Sequence, residues 1–228
     1  MRFLLIGAVA LIATLPSLAA PPRPYHLELE ASPAAAFPYL GKFGNVELHV
    51  YAGGVRAEAL WLNSFSRNGA PAVTVMNPLG RMYVDVPVND IAPILTKLAG
   101  RAGSVEQSTS ANMGPAMQGT VAGIAATRHR LVYGPTAWID VWTTNVIPEN
   151  PQLRRIVDEL VRGISPGTAR VSRTIRGTPI YVEINFRRFK KVPLLKLKKL
   201  SFAADDEEDA LKIGPLYMRA PLLEKLFE

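Results

Sequence analysis

The sequence predicts an α+β fold: a large curved antiparallel sheet, or half-open β-barrel, of about nine to eleven strands with two or three helices on its concave side. Three observations carry this. Run after run alternates apolar and polar residues with period two, the mark of a half-buried strand, and turn residues separate the runs. Two segments, 90–99 and 151–162, instead carry apolar residues at helical spacing. No repeat, linker or shift of composition divides the chain, so these elements read as one domain.

The chain opens on Arg2, an apolar run from Phe3 to Leu15, and Pro16-Ser17-Leu18-Ala19-Ala20, whose small residues suit a signal peptidase. This is the pattern of a secretory signal peptide. The run is shorter than the roughly 20 apolar residues needed to span a bilayer. Cleavage is expected between Ala19 and Ala20, since a cut after Ala20 would place Pro21 beside the scissile bond. Residues 1–19 thus read as a signal peptide and 20–228 as one exported, periplasmic domain. The chain has no cysteine. That excludes a lipid anchor on a cleavage-site cysteine, disulfides, thiol catalysis, zinc–thiolate sites and iron–sulfur clusters.

Pro21-Pro22-Arg23-Pro24 leads in as an extended segment. From Tyr25 to Glu30, Tyr25, Leu27 and Leu29 share one face, and His26, Glu28 and Glu30 the other. Ser32-Pro33 is a helix start that Pro38 and Gly41 keep short. Val46, Leu48 and Val50 alternate with Glu47, His49 and Tyr51. Gly53-Gly54 then signals a hairpin into a strand from Val55 to Leu62. Asn68-Gly69 marks a turn, Ala72 to Met76 a strand, Asn77-Pro78-Leu79-Gly80 a turn, and Arg81 to Val86 a strand. Residues 44–86 thus read as a meander of four strands.

Asn89 or Asp90 caps a helix striped by Ile91, Ile94, Leu95 and Leu98 and ended by Gly100. Residues 101–117 have no period and read as a loop. Thr120 to Tyr133 reads as a long strand weakened by Gly123, and Ala137 to Thr143 as a strand apolar on both faces. Asn150 as N-cap and Pro151 at the first position begin the helix at 151–162, with Leu153, Ile156, Val157 and Leu160 as its stripe. Pro166-Gly167 is a turn. Ile180, Val182, Ile184 and Phe186 then oppose Tyr181, Glu183 and Asn185. Leu195 and Leu197 alternate with lysines before the parity moves to Leu200 and Phe202, which predicts a β-bulge at Lys198-Lys199. Asp205 to Asp209 is an acidic loop, and Pro221 to Phe227 a helical tail.

The net charge is +7, and Arg2 is the sole charged side chain of the leader. A basic exported protein is attracted to anionic surfaces, and the same charge also serves colloidal solubility. The chain carries no nucleic-acid module, so nucleic acid is not an expected partner. The three histidines, His26, His49 and His129, stand in alternating strands and not at metal-ligand spacing, so they read as solvated strand residues and no metal or cofactor is expected. No nucleophile elbow, phosphate loop or dinucleotide fingerprint is present, which points to a non-catalytic protein. Two carboxylates brought together only by folding would argue otherwise.

Two features remain. Arg187, Arg188, Lys190, Lys191, Lys196, Lys198 and Lys199, interleaved with apolar residues, suit docking to an anionic membrane surface or an envelope partner. They equally suit an outer sheet face kept soluble by edge lysines. Trp61, Met76, Met82, Trp138, Trp142 and Tyr181 stand on strands apolar on both faces, where they line either a core or an apolar cavity.

Gly44-Asn45-Val46-Glu47-Leu48, Gly53-Gly54-Val55-Arg56 and the turn Asn77-Pro78-Leu79-Gly80-Arg81-Met82-Tyr83 form one group of motifs. Gly119-Thr120-Val121-Ala122-Gly123, Thr127-Arg128-His129-Arg130-Leu131 and the strand ending at Trp142 form a second. Together they resemble the exported DUF4412-type proteins and, more distantly, the periplasmic lipoprotein-carrier superfamily (LolA/LppX-like). The resemblance implies an unclosed antiparallel barrel with helices as a lid over an apolar cavity. It implies non-covalent carriage of a lipid or an acylated protein. Arg56 matches the carriers' arginine after the early hairpin, which implies that it holds the lid by hydrogen bonds; the residue pattern alone reads it as an outward-facing strand arginine. The ligand-binding set on this reading is Arg56, Trp61, Met76, Met82, Trp138 and Trp142.

Overall fold

Tyr25, Leu27 and Leu29 alternate with His26, Glu28 and Glu30 in β1 (Tyr25–Ala31), and the apolar set is buried. That strand stands in the middle of the sheet. One edge pairs with β2 (Gly44–Val50), setting Leu27 opposite Leu48. The other pairs with the distant β12 (Val192–Ser201), setting Leu27 opposite Leu200. The computed structural model describes residues 23–31, 44–59, 62–101, 112–133, 137–164, 166–186, 191–202 and 207–220. The leader, the short helix expected after Ser32, Trp61, Arg187, Arg188, Lys190 and the tail from Pro221 lie outside them.

From β2 the chain runs as an antiparallel meander through β3 (Gly54–Ala59), β4 (Leu62–Arg67), β5 (Ala72–Asn77) and β6 (Met82–Pro87). A 3₁₀ turn at Val88–Asp90 leads into α1 (Ile91–Arg101). Two short pieces, β7 (Asn112–Met113) and β8 (Met117–Val121), pair with the same edge of β9 (Ile124–Tyr133). Then come β10 (Ala137–Thr144), α2 (Pro151–Ile164), α3 (Pro166–Ser172), β11 (Thr178–Phe186) and β12. A helical turn, α4 (Glu207–Ala210), precedes β13 (Met218–Arg219), which pairs in parallel with β6. The order is β13-β6-β5-β4-β3-β2-β1-β12-β11-β10-β9-β7 with β8 also on β9. The sheet is therefore mixed, and its ends do not meet.

The α+β class stands, but the thirteen strands among the described residues exceed the nine to eleven expected. β4 was absent from the predicted meander because Leu-Asn-Ser-Phe-Ser-Arg offers little apolar alternation. Its ladders to β3 and β5 hold it in place. The long strand expected from Thr120 is two strands. Ala122 (φ 50°) and Gly123 (φ 79°) both adopt positive φ, the pair of a two-residue type I′ hairpin. The segment expected as a loop, 101–117, supplies β7 and the first residue of β8, and Pro166-Gly167 begins α3 rather than a turn.

The predicted bulge is present: Glu28 faces Lys199 while Leu29 faces Leu197, so Lys198 is the extra residue. It lets Leu197, 2% exposed, and Leu200 both meet the β1 core side. The larger core gathers Tyr25, Leu27, Leu29, Leu48, Val50, Val55, Ile147, Ile180 and Leu197, and Leu153 and Ile156 of α2 pack against it. Gln152, also on α2, donates through Nε2 to the Ser66 hydroxyl (2.8 Å), and Ser66 donates to the Ala72 carbonyl (2.8 Å). Among the described residues no helix is long and apolar enough to cross a membrane.

Asn150 caps α2 as expected. Its Oδ1 accepts from the backbone N–H groups of Gln152 (2.9 Å) and Leu153 (3.0 Å), and Asn150 is itself buried. Asn150→Ala is expected to lower stability by about 1 kcal/mol, measured by urea unfolding, because one buried and one partly buried backbone donor lose their acceptor.

Candidate functional site

The register of the meander places Arg56, Phe65, Met76 and Tyr83 on one face, opposite the face that α2 covers. Phe65 and Met76 form a second buried cluster with Tyr51 and Leu211. Leu211 comes from the segment after α4, whose Ala210, Ile213 and Tyr217 pack against the same cluster. The topology explains this cover. β12 ends in the middle of the sheet, while β13 pairs at its far edge, and β1 to β6 lie between them. The connecting chain must cross that face.

Two arginines fix the crossing segment to the sheet. Arg56 donates through Nε to Glu58 Oε1 (2.7 Å) and through Nη1 to the Ala210 carbonyl (3.0 Å). Arg67 donates through Nε (3.3 Å) and Nη2 (3.1 Å) to the Leu211 carbonyl. Gly54 makes the close approach possible. A Cβ there would lie 2.4 Å from the Ser66 carbonyl oxygen and 3.0 Å from Leu211 Cδ1. Beyond the cluster, Met82 is partly exposed at the sheet edge and faces Met218 in the β6–β13 pair, with Leu79 and Leu216 also exposed.

The expected ligand-binding residues therefore do not form one site. Arg56 and Met76 share the covered face, Met82 lies at its rim, and Trp61 is outside the described residues. Trp138 and Trp142 stand on β10, seven strand positions from β5. There the guanidinium of Arg130 lies 5.0 Å from the Trp138 ring, and that of Arg128 lies 5.9 Å from Trp142. The Trp142 ring also fills the space a side chain at Gly119 would need, since a Cβ there would lie 2.7 Å from Cζ3.

The same region holds the folded-state acid pair that the sequence could not show. Asp140 and Glu183 are register partners on β10 and β11 and are 2% and 6% exposed. Arg130 grips Asp140 in a bidentate fork, Nε to Oδ1 and Nη2 to Oδ2, both 2.8 Å. Tyr181 donates its hydroxyl to Glu183 Oε2 (2.9 Å), and Asn185 Nδ2 lies 3.4 Å from both carboxylates. Paired acids are raw material for acid–base catalysis. Here both Asp140 oxygens are taken by the guanidinium, and Glu183 is taken by Tyr181 and Asn185. Burial and the Glu183 carboxylate push the Tyr181 phenol up to about 12, and the hydrogen bond to Asp140 raises Arg130.

Of the basic stretch, Lys198 pairs with Glu30 (2.6 Å), Lys199 with Glu28 (3.1 Å) and Lys191 with Glu183 (3.8 Å). Lys196 is exposed on β12. Of the histidines, His129 lies 3.2 Å from the Thr143 hydroxyl, and burial lowers its pKa. His26 and His49, far apart in sequence, are brought face to face beside Glu47.

No protein-family model and no curated protein matches the chain. Two solved structures are similar in outline. An uncharacterized conserved protein from Thermus thermophilus has a TM-score of 0.45 at 10% identity, over 87% of this chain and 90% of that one. PNGF-II has a TM-score of 0.44 at 9% identity, over 90% of this chain and 33% of its own length.

Burial also pushes the Tyr25 phenol, which donates to the Pro148 carbonyl (2.9 Å), up to about 12. Both phenols are thus neutral in the fold at a pH where an unfolded tyrosine, with a pKa near 10, ionises. Their stabilisation is complete below about pH 10 and declines as pH rises from there toward 12. Ultraviolet phenolate titration should show two tyrosines ionising last, together with unfolding, and Tyr181→Phe should remove one of them.

Proposed function

We propose that this protein binds a lipophilic ligand, an acyl chain that is free or attached to a protein, without catalysing a reaction on it. The ligand lies on the face of β3 to β6 beneath residues 207–217. One observation carries the reading: an apolar cluster of Tyr51, Phe65 and Met76 is covered by a short crossing segment whose Ala210 and Leu211 are held by arginine side chains. Such a cover can lift without breaking a strand ladder.

The energies are balanced closely enough for exchange. Lifting the cover loses three side-chain hydrogen bonds at about 1 kcal/mol each. It also loses the burial of Leu211, worth about 2 kcal/mol. An acyl chain regains about 0.8 kcal/mol per buried methylene, so roughly six or seven methylenes would offset these terms, and further methylenes would offset the contacts of Ala210, Ile213 and Tyr217. Once off the backbone carbonyls, Arg67 and the Nη1 group of Arg56, whose Nε stays on Glu58, can donate to a carboxylate or phosphate head group. The resemblance to the carriers supports the reading as well, for it matches Arg56 to their arginine after the early hairpin. The cover differs: it is the C-terminal segment, on the face opposite α2, rather than helices. The leader supports a periplasmic location, where acylated proteins and lipids need shielding from water.

Docking to an anionic surface through 187–199 has less support, since Lys191, Lys198 and Lys199 are paired with glutamates.

Protein purified from the envelope should carry lipid adducts in native mass spectrometry, identifiable after solvent extraction. A photoactivatable fatty acid should label peptides holding Phe65, Met76 or Leu211. The Arg56→Gln/Arg67→Gln double variant should take up a fluorescent fatty acid at least about tenfold faster, because its cover opens more often. Lipid-free protein, with labelling confined to other surfaces, contradicts the proposal.

A further inference from the structure

We infer that His26, Glu47 and His49 form a binding site for one divalent transition-metal ion of the zinc type. The site lies on the face of the β1–β2 ladder opposite the larger core. Register makes it. His26 and His49 are direct cross-strand partners, and Glu47 stands two residues before His49 on the same face of β2. The imidazole rings lie 4.2 Å apart at 11°. Glu47 Oε2 lies 3.7 Å from His26 Nε2 and 3.8 Å from His49 Nε2, and the three ligand atoms all fall within 4.8 Å of one another.

These spacings bring the three donors together without a hydrogen bond between them, near enough to converge on one ion. Each nitrogen–oxygen gap exceeds hydrogen-bond length. Ligands on a tetrahedral ion at about 2.0–2.1 Å lie about 3.3–3.4 Å apart. Closing the difference takes a turn of the two imidazoles out of their stacked arrangement, so that both Nε2 lone pairs meet at one point, and a rotation of the Glu47 carboxylate. That carboxylate is free to move, as its side chain is 52% exposed, whereas the histidines are 19% and 16% exposed. His26 Nε2 is buried and has no hydrogen-bond partner among the described residues. A buried ring nitrogen of this kind costs free energy unless it is satisfied, and a cation shared with Glu47 satisfies it.

The donor set fits the chemistry. Two imidazoles and a carboxylate suit zinc and its first-row neighbours. Three protein ligands leave a coordination position open to an outside group. The neighbouring charges permit a cation. Arg56, the register partner of His49, turns its guanidinium to Glu58 and Ala210, and Glu28, the register partner of Glu47, is held by Lys199. β1 and β2 are central strands, so the donors ride on strands that are paired on both sides.

The test uses the mature full-length protein and zinc chloride, with titration calorimetry and native mass spectrometry. One ion per chain is expected, with a dissociation constant in the micromolar range or below. In proton NMR, the imidazole signals of His26 and His49 should shift while those of His129 stay. Glu47→Gln, at an exposed side chain, should keep the apo-protein's circular dichroism and melting temperature and weaken zinc at least tenfold. His26→Asn in the same background should abolish binding. Absence of binding below millimolar zinc overturns the inference. So does binding that survives Glu47→Gln and His26→Asn together, since the ion would then sit elsewhere. None of these readings involves lipid, so this inference and the proposed function fail independently.

Discussion

The pairing of β1 with both β2 and β12 is the constraint on which the rest of the structure depends. The first strand of the domain ends in the middle of the sheet, joined on one side to a local meander and on the other to a strand 171 residues away at the Glu28–Lys199 contact. Leu27 and Leu197, 1% and 2% exposed, mark the seam. Because neighbouring side chains alternate faces, a slip of one residue in β1 would turn Leu27 and Leu29 to solvent and bury His26 and Glu28. The bulge at Lys198 keeps the two halves of the sheet in phase across this seam.

Both candidate sites follow from that seam. With β12 fixed beside β1, the chain must travel across β1 to β6 before β13 can pair with β6, and the crossing lays Leu211 over Phe65 and Met76. With β1 fixed against β2, the residues of β1 that face away from the core set His26 against His49 and Glu47. The apolar phase of the strands builds the core, and the polar phase of the same strands builds the cation site. Backbone register positions the donors of the cation site and the sheet side of the covered face, and the irregular segment after α4 supplies the cover.

Much of the frame was legible in the residues. Period-two alternation showed β1, β2, β11 and β12, Asn150-Pro151 showed the start of α2, and the parity change at Lys198 showed the bulge. β4 was hidden because its inner positions are Ser64 and Ser66 rather than apolar residues. Ser66 is nevertheless 2% exposed, made tolerable by its bonds to Gln152 and Ala72. The hairpin at Ala122-Gly123 was hidden because alanine is an uncommon residue at positive φ. The sites were less legible than the frame. The contact of Arg67 with Leu211 joins residues 144 apart, and nothing local foreshadows it. The histidine pair was within reach: a hairpin register read from Gly44 and Ala31 places His26 opposite His49.

Ligand entry beneath the crossing segment requires that segment to open while the sheet stays folded. Native-state hydrogen exchange at increasing denaturant measures this directly. Amides of residues 211–217 are expected to exchange by a local opening of low free energy, insensitive to denaturant, while β1 and β12 exchange only through global unfolding. Exchange of residues 211–217 with the same free energy and denaturant dependence as β1 would contradict it, for the segment would then be part of the core and not a cover.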